Sequence, residues 1–475
     1  MEHRENWTRQ EIEDLVKAQR AFFATNQTLD VDWRLSQLKK LKDAIRAHRA
    51  DLAQALRADL GRTEAEAYML DIGTSIAEID EALAALRRWV RPETHWSGLM
   101  CFPSVVTKVY KLPYGVSLIV SPFNFPVLLS LGVLTAAIAG GNTAVIKASS
   151  KSPVCTAALR ALIADCFPAE YVTVVSGGHE TADACLAQRF DKIFYTGSPK
   201  VGRHVLEMAA DNLTSVGLEL GGENGNWCIV RKDAALKDAA RKIAFFKACN
   251  SGQICIDINQ VAVAEEVAEP FLKELKAAFA KQLGKNPAAN AEYSRMISRA
   301  AYDRCCAWAD RYADRLIYGG ERNEAELKFA PAILYPVGVD EDIVKTELFC
   351  PLLPVVPFPD AQIDGLLRGI AAREHGLALY LFTKDMAWAK KTMASQQYGG
   401  GCINEVCMHL MVRGAPFNGV GHSGMGAYHG EWGFREFTHP STVLIGSNHF
   451  NLPLREHPFT GAGRWKRAVI ERFLR

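Results

Sequence analysis

No run of apolar residues in this sequence is long enough to cross a bilayer. The longest, Val127 to Ala139 (VLLSLGVLTAAIA), is closed by a Gly-Gly pair. It falls short of the roughly 18 to 20 residues a spanning helix needs, so a buried helix is expected there and no integral membrane segment. An excess of one charge is also missing. Fifty-five Lys and Arg stand against 53 Asp and Glu, leaving no global field to recruit nucleic acid or an anionic membrane. A small molecule is the expected partner. The opening MEHRENWTRQEIEDL has acids throughout and no apolar core, unlike a secretory or transit segment, and a cytoplasmic location is expected. Twelve cysteines are present but no C-x-x-C pair, and neither Cys305-Cys306 nor Cys402 with Cys407 is matched by a second pair. Neither a disulfide framework nor a metal site is therefore expected, and most of these thiols read as small buried hydrophobes. Repeats and low-complexity tracts are absent.

What is present is a chain of 475 residues, too long for one core and suited to two or three packing units. Met69, Ile72, Ile76, Ile79, Leu83 and Leu86 recur at helical spacing, and an earlier helix is expected to carry Leu38, Leu41, Ile45, Leu52 and Leu56 and to end near Gly61. From residue 115 short β-branched runs (VSLIV, TAVIK, YVTVV, KIFYT) alternate with helical segments near 127–139, 152–166, 179–188 and 200–210. That alternation predicts a parallel sheet covered by helices, its strand ends facing a nucleotide. A second α/β region follows from about 221 to 410, with apolar runs at WCIV, QVAVA, LPVVPF and LALYLF. One stretch, Gly419-Val-Gly-His-Ser-Gly424, fits G-x-G-x-x-G, but it follows Ala-Pro-Phe-Asn rather than a strand and no βαβ unit surrounds it. It reads as a glycine-rich turn.

The stretch KACNSGQICIDINQ (247–260) sets two thiols in a polar, glycine-bearing turn. A reactive cysteine needs local positive potential or an adjacent base, and Gly252 is expected to let backbone amides approach whatever the Cys255 sulfur attacks. Glu219 lies in the apolar context Leu218-Glu-Leu220, where burial without a partner should raise its pKa toward that of a general base. Asn124, in SPFNFP (121–126), reads on its own as a turn residue before proline.

Taken together, VGLELGG (216–222), NSGQIC and the later TELFCP resemble the aldehyde dehydrogenase superfamily, and PFNGVGHSGMGAYHG (416–430) is similar to its class 3 branch, which handles aromatic and medium- to long-chain aldehydes. The resemblance runs from roughly residue 10 to 448. It implies an α/β fold: a Rossmann-like cofactor domain (1–94 and 113–220), an α/β catalytic domain (221–411) and a small β bridging, dimer-forming element (95–112 and 412–448), with a tail at 449–475. It further implies Cys255 as nucleophile, Glu219 as base and Asn124 as oxyanion donor in NAD(P)-dependent oxidation of an aldehyde to the acid, through a thiohemiacetal and a thioester. For the cofactor, NAD or NADP, it implies Lys147 on the adenine ribose, Gly197, Ser198 and Gly202 at the pyrophosphate turn, and Glu347 and Phe349 on the nicotinamide ribose.

The departures bear on detail. Ser150, followed by Lys151, stands where members preferring NAD carry a glutamate, which removes repulsion of a 2′-phosphate and predicts that NADP is accepted. Glu223-Asn-Gly225, Cys350 and Asp257-Ile-Asn259 also differ, and Phe245, Ala248 and Cys249 imply an altered aldehyde tunnel. Cys249 is read as a packed thiol in preference to a disulfide partner of Cys255, and His409 and Tyr428-His429 as structural. The basic segment 464–475 predicts a short amphipathic helix. Two competing readings are a coenzyme A-acylating enzyme, against which Glu219 argues, and a catalytically silent binding protein on the same fold, against which the presence of all three catalytic residues argues.

Overall fold

The computed structural model describes residues 6–98, 101 and 106–473. Positions 1–5, 99–100, 102–105 and 474–475 lie outside the described residues, including part of the stretch 95–112 expected to bridge and the ends of the first and last expected segments.

Every β-branched run between 115 and 220 forms a strand. In spatial order the six-stranded sheet is Gly424–Met425, Ser215–Leu220, Lys192–Gly197, Val116–Val120, Thr143–Lys147 and Val172–Val175. All pairings are parallel except that of the first strand. A parallel sheet must be covered on both faces, and the side chains alternate accordingly. Ile119 and Ile146 enter a core shared with the helix Leu128–Gly140 and with Leu38, Leu41 and Ile45. Leu118 and Val145 point the other way, onto Ile12, Leu15 and Val205. The apolar run read as a buried helix is one, sealed by Gly141 at φ 89°.

Two of the expected helices differ in detail. Leu38 to Leu56 do not share one helix: Val31–Ala47 stops at His48 and Arg49–Leu60 restarts from it. His48 leaves helical geometry at ψ 10°, and its Nε2 lies 2.8 Å from the Asp165 carboxylate. Beyond the break the helix Arg49–Leu60 packs closely on the helix Pro153–Cys166, which the first helix also touches. Gly61 ends the second helix at φ 72°, as expected. The Met69 stripe opens with a π-turn over Tyr68–Ile72 before the helix Gly73–Trp89. The extra residue shifts the phase, so Met69 is exposed and Asp71 goes inside.

A seven-stranded sheet follows: Leu316–Tyr318, Ala332–Leu334, Leu352–Phe358, Ile258–Ala264, Asn226–Val230, Ala378–Phe382 and Gly400–Ile403. It is parallel apart from its first edge. A small antiparallel sheet joins Glu93–Trp96, Val106–Pro113 and Thr438–Ile445. The Gly419–Gly424 stretch has no βαβ unit around it. It is a turn whose Ser423 Oγ accepts from the Val420 amide at 2.9 Å, and it delivers Gly424 opposite Glu219. The tail holds the helix Arg464–Phe473, anchored where the Lys466 ammonium donates to the Glu456 carbonyl at 2.7 Å. Among the described residues no helix is long and apolar enough to cross a membrane.

Candidate active site

The carboxyl ends of the six-stranded sheet meet the 249–255 turn around a cleft of about 320 Å³. Asn124, Glu219, Cys255, Gly197, Ser198, Glu347 and Phe349 all line it, together with Thr196, Gly221, Lys151 and Arg304.

Cys255 follows a backbone segment that ordinary residues rarely adopt: Asn250, Ser251 and Gly252 have φ of 50°, 51° and 68°. Left-handed geometry at two non-glycine residues is unfavourable and persists only when surroundings enforce it. Here the Ser251 hydroxyl donates to Ser294 O at 2.6 Å. The Asn250 amide donates to Glu66 at 2.7 Å, and Gln253 Nε2 reaches Asn250 O and Arg295 O at 2.9 and 3.0 Å. Gly252 serves a different purpose from the one expected. A Cβ there would strike the Cys350 carbonyl carbon and lie 3.1 Å from Asp257, so the glycine permits close packing behind the turn. On the other side Asn226 Nδ2 holds the Cys255 and Asp257 carbonyls at 2.8 and 2.9 Å.

Glu219 is 2% exposed, and neither carboxylate oxygen has a hydrogen-bond partner. Burial pushes its pKa from 4.5 up to about 7, with Cys255 and His429 opposing the rise. The thiol lies near enough to act on the carboxyl electrostatically, but no contact between them meets hydrogen-bond geometry. Cys255 is itself half-buried, and its pKa is pushed well above the usual thiol range by burial and then by the Glu219 and Glu347 charges. Of the two alternatives for activating a thiol, the adjacent carboxyl of Glu219 is beside it, and Lys151 and Arg304 line the same cleft.

Asn124 Nδ2 donates to Gln253 O at 3.1 Å; the amide carries a second N–H, available to the cleft. Its backbone carbonyl accepts from Asn250 Nδ2 at 3.1 Å and from Arg62. Arg62 pairs with Asp71, both wholly buried, and Asp71 Oδ1 accepts from the Val127 and Leu128 amides at 3.0 and 2.7 Å. The π-turn that carried Asp71 inward therefore supports both the Asn124 loop and the first turn of the buried helix.

On the opposite side of the cleft, Ser198 is the N-cap of the helix Pro199–Ala210 and makes no side-chain cap bond. The first amides of that helix are left open to an anion. Thr196 Oγ1 is buried without a partner. Gly197 has no room for a Cβ beside the Tyr195 hydroxyl, and Gly221 none beside the Glu347 carboxylate. Glu347 is held by its neighbours: Asn259 Nδ2 donates to Thr346 O at 3.0 Å and Asn259 Oδ1 accepts from the Leu348 amide at 2.8 Å. Burial and then Glu219 push the Glu347 carboxyl up to about 8. Phe349, at φ 51°, meets Phe123 edge-on at 5.9 Å.

Three expected cofactor residues do not line the cleft. Gly202 sits inside its helix, where a Cβ would stand 3.1 Å from Leu220, so it brings helix and sheet together. Lys147 ends its strand buried, its ammonium donating to Ala148 O and Gly177 O at 2.8 Å each, and burial lowers its pKa. Ser150 is exposed just beyond. Cys249 is buried, its thiol pushed up by burial, and is not among the lining residues. His409 stacks on Phe417 at 5.9 Å, and burial lowers it to about 4, so it is neutral at physiological pH. Arg62, Asp71, Thr196, Asn226, Asn259 and Arg304 went unrecognised in the sequence; the only local signal among them was a polar Asn259 leading into an apolar strand.

A half-buried thiol, a buried carboxyl with a pKa near neutrality and a side-chain amide line one cleft beside an uncapped helix N-terminus, an arrangement that suits a cofactor-dependent oxidoreductase. The chain belongs to the Aldehyde dehydrogenase family, whose sequence profile matches residues 2–443. It is an oxidoreductase that oxidises aldehydes with NAD(P), most like family 3. It is 35% identical over 462 residues, 97% of this chain and 99% of the relative, to 4,4'-diaponeurosporen-aldehyde dehydrogenase of Staphylococcus aureus. It is 32% identical over 441 residues, 91% of this chain and 94% of the relative, to the dimeric NADP-preferring aldehyde dehydrogenase of Canis lupus familiaris. A solved structure of the substrate-bound state of Staphylococcus aureus AldH superposes with a TM-score of 0.93 at 34% identity, covering 98% of this chain and 99% of that one.

Proposed function

We propose that Cys255, Glu219 and Asn124 carry the reaction, on the observation that all three line one cleft of about 320 Å³. Cys255 Sγ bonds to the aldehyde carbon, the thiol proton passes to Glu219, and the oxygen becomes an oxyanion that takes the free Asn124 N–H. Bound nicotinamide supplies the hydride acceptor that converts the thiohemiacetal to a thioester. Glu219, again ionised, then takes a proton from water as it adds to the thioester carbon; the C–S bond breaks, the departing sulfur takes that proton back from Glu219, and the acid leaves. A pKa near 7 lets one carboxyl serve both steps at neutral pH.

The residues present fit a nicotinamide dinucleotide. The uncapped helix start at Ser198, with Gly197 before it, suits the pyrophosphate, and the unpartnered Thr196 hydroxyl offers a further donor. Glu347 and Phe349, which line the same cleft, are assigned to the nicotinamide ribose. Lys147 is assigned to the adenine ribose, for which its ammonium keeps a third N–H beyond the two given to carbonyls. Gly202 acts through helix packing. The exposed Ser150, with Lys151 beside it, favours acceptance of NADP; a hundredfold advantage for NAD in kcat/KM would remove that assignment.

The aldehyde is assigned to the aromatic or medium- to long-chain class from the kinship with family 3. Segments 1–94 with 113–220, 221–411, and 95–112 with 412–448 are read as cofactor, catalytic and bridging units. The exposed apolar row Val443, Leu444 and Ile445 supports pairing of two copies through the bridging unit. Twelve unpaired cysteines suit the reducing cytoplasm. Transfer of the acyl group to coenzyme A is disfavoured because Glu219 stands ready to activate water. The deciding experiment quenches the unmodified protein in acid during turnover of benzaldehyde with NADP: an acyl adduct should be found on the peptide bearing Cys255, and Glu219→Gln should form it more slowly and turn over less. An adduct on another cysteine, or turnover equal to that of the unmodified protein, would overturn the assignment.

A further inference from the structure

In each turnover Glu219 must discard the proton it takes from the thiol before it can activate water, whose proton returns to the departing sulfur, yet neither carboxylate oxygen has a hydrogen-bond partner. Behind it lies a buried pair that the chemistry above does not use. His429 Nδ1 lies 2.5 Å from Glu78 Oε1, and both side chains are largely buried. If Nδ1 carries the hydrogen toward the carboxylate, Nε2 is left as a proton acceptor, and Nε2 is buried without a partner. Gly424 pairs with Glu219, and beyond the turn at Gly426 the rings of Tyr428 and His429 stack at 4.2 Å, both near enough to Glu219 to interact with it electrostatically. The His429 backbone holds φ 79°, a conformation enforced by its surroundings. On its far side, Glu78, Glu81, Thr74, Arg413 and His429 line a cavity of about 40 Å³, room for about two or three waters.

We propose that His429, oriented by Glu78, is the relay that takes the proton from Glu219 through water in the cleft and passes it to the small cavity and on to solvent. No bond other than N–H and O–H changes: Glu219 returns to carboxylate, His429 becomes imidazolium against the Glu78 carboxylate, and cavity water carries the proton away. The groups facing His429 are consistent with a transient cation. Glu78 and Glu81 come from the helix Gly73–Trp89, Glu219 from its strand, and Arg413 and the neutral His409 from the 408–413 segment. The His429 charge acts on both Glu219 and Glu81, lowering each.

The inference rests on Glu219 as the base, and the test separates the two. An activated ester such as 4-nitrophenyl acetate acylates a thiol without any nicotinamide, so the nitrophenolate burst reports acylation and the later steady rate reports hydrolysis. His429→Asn keeps a residue tolerant of positive φ. It should retain the burst and lose about tenfold or more in the steady rate, within the range expected when a proton-transfer group is removed. Added imidazole should restore part of the rate, and Glu78→Gln should slow the same phase. The steady-rate pH profile should also change, since Glu219 loses its acceptor. Glu219→Gln serves as the reference: if it hydrolyses normally, the base assignment itself fails. If it is inactive in the steady phase while folded His429→Asn and Glu78→Gln keep the full rate and the unmodified pH profile, the relay alone is overturned.

Discussion

Replacing Glu219 by glutamine should stabilise the protein at alkaline pH relative to acid pH, when compared with the unmodified chain. Burial holds the Glu219 carboxyl at about 7 rather than 4.5, with both oxygens lacking hydrogen bonds. Between those values the unfolded chain has released a proton that the native protein still binds, so stability falls as pH rises. The contribution is fully present below the unfolded value and is lost as pH passes through about 7. At 1.36 kcal/mol per tenfold change in proton affinity, the gap amounts to about 3 kcal/mol, of which about 2.5 kcal/mol falls between pH 5 and pH 8. Glutamine carries no such dependence. Its own unmet hydrogen bonds cost the same at both pH values and drop out of the comparison. Glu347 adds in the same direction: Glu219 helps hold it up to about 8, and losing that neighbour lets it ionise with less penalty. Urea unfolding at pH 5 and pH 8, followed by the fluorescence of the nine tryptophans, measures the difference directly. If the gap between the two proteins is the same at both pH values, Glu219 is not a neutral-leaning buried carboxyl, and the account of one group serving both proton transfers collapses with it.

Other substitutions probe the remaining parts. Asn124→Ala should lower kcat by about 10²–10³, as loss of one oxyanion donor does elsewhere; unchanged kcat would release Asn124 from that role. Ser150→Glu should reduce kcat/KM for NADP about tenfold or more while sparing NAD, and equal losses with both cofactors would place position 150 away from the 2′-phosphate. Lys247→Met removes the ammonium 2.8 Å from Asp257 in a fully buried pair. It should cost about 3–5 kcal/mol at neutral pH. Asp257 already stands at about 6 with its lysine present, so protonation in acid should reduce that cost, and a loss that does not shrink toward pH 5 would contradict the pairing.

The sheets and the turn that carries Cys255 were legible because each depends on local pattern. VSLIV and TAVIK are buried on both faces and can be little else than central parallel strands. NSGQIC has three successive residues at positive φ, and the polar and glycine residues this requires stand out in any apolar context. Glu219 between two leucines announced a buried acid, and its pKa follows from that burial. What could not be read was whatever depends on partners distant in sequence. Asp71 looks like a surface residue of a helix until a π-turn rotates it inward onto Arg62 and the start of the helix at Leu128. Gly252 was correctly singled out but for the wrong neighbour, because nothing local shows that Cys350 O lies against it. His48, whose ring meets the distant Asp165, breaks the helix expected to carry both Leu38 and Leu56.

The same distinction explains how the site is supported. Asn250, Ser251 and Phe349 hold positive φ, so the turns beside Cys255 and Glu347 lack the regular hydrogen-bond ladder that holds Glu219 in its strand. Side chains take over: Asn226 on the Cys255 carbonyl, Asn259 on the Glu347 turn, Asn250 and Arg62 on the Asn124 carbonyl. Each makes at least one hydrogen bond to a main-chain atom beside the cleft. None of them bonds Glu219, whose oxygens remain unpartnered. A substitution in that supporting set should therefore disturb geometry before it disturbs charge, whereas one at Glu78 or His429 should disturb proton transfer while leaving the thiol, the amide and the cleft where they are.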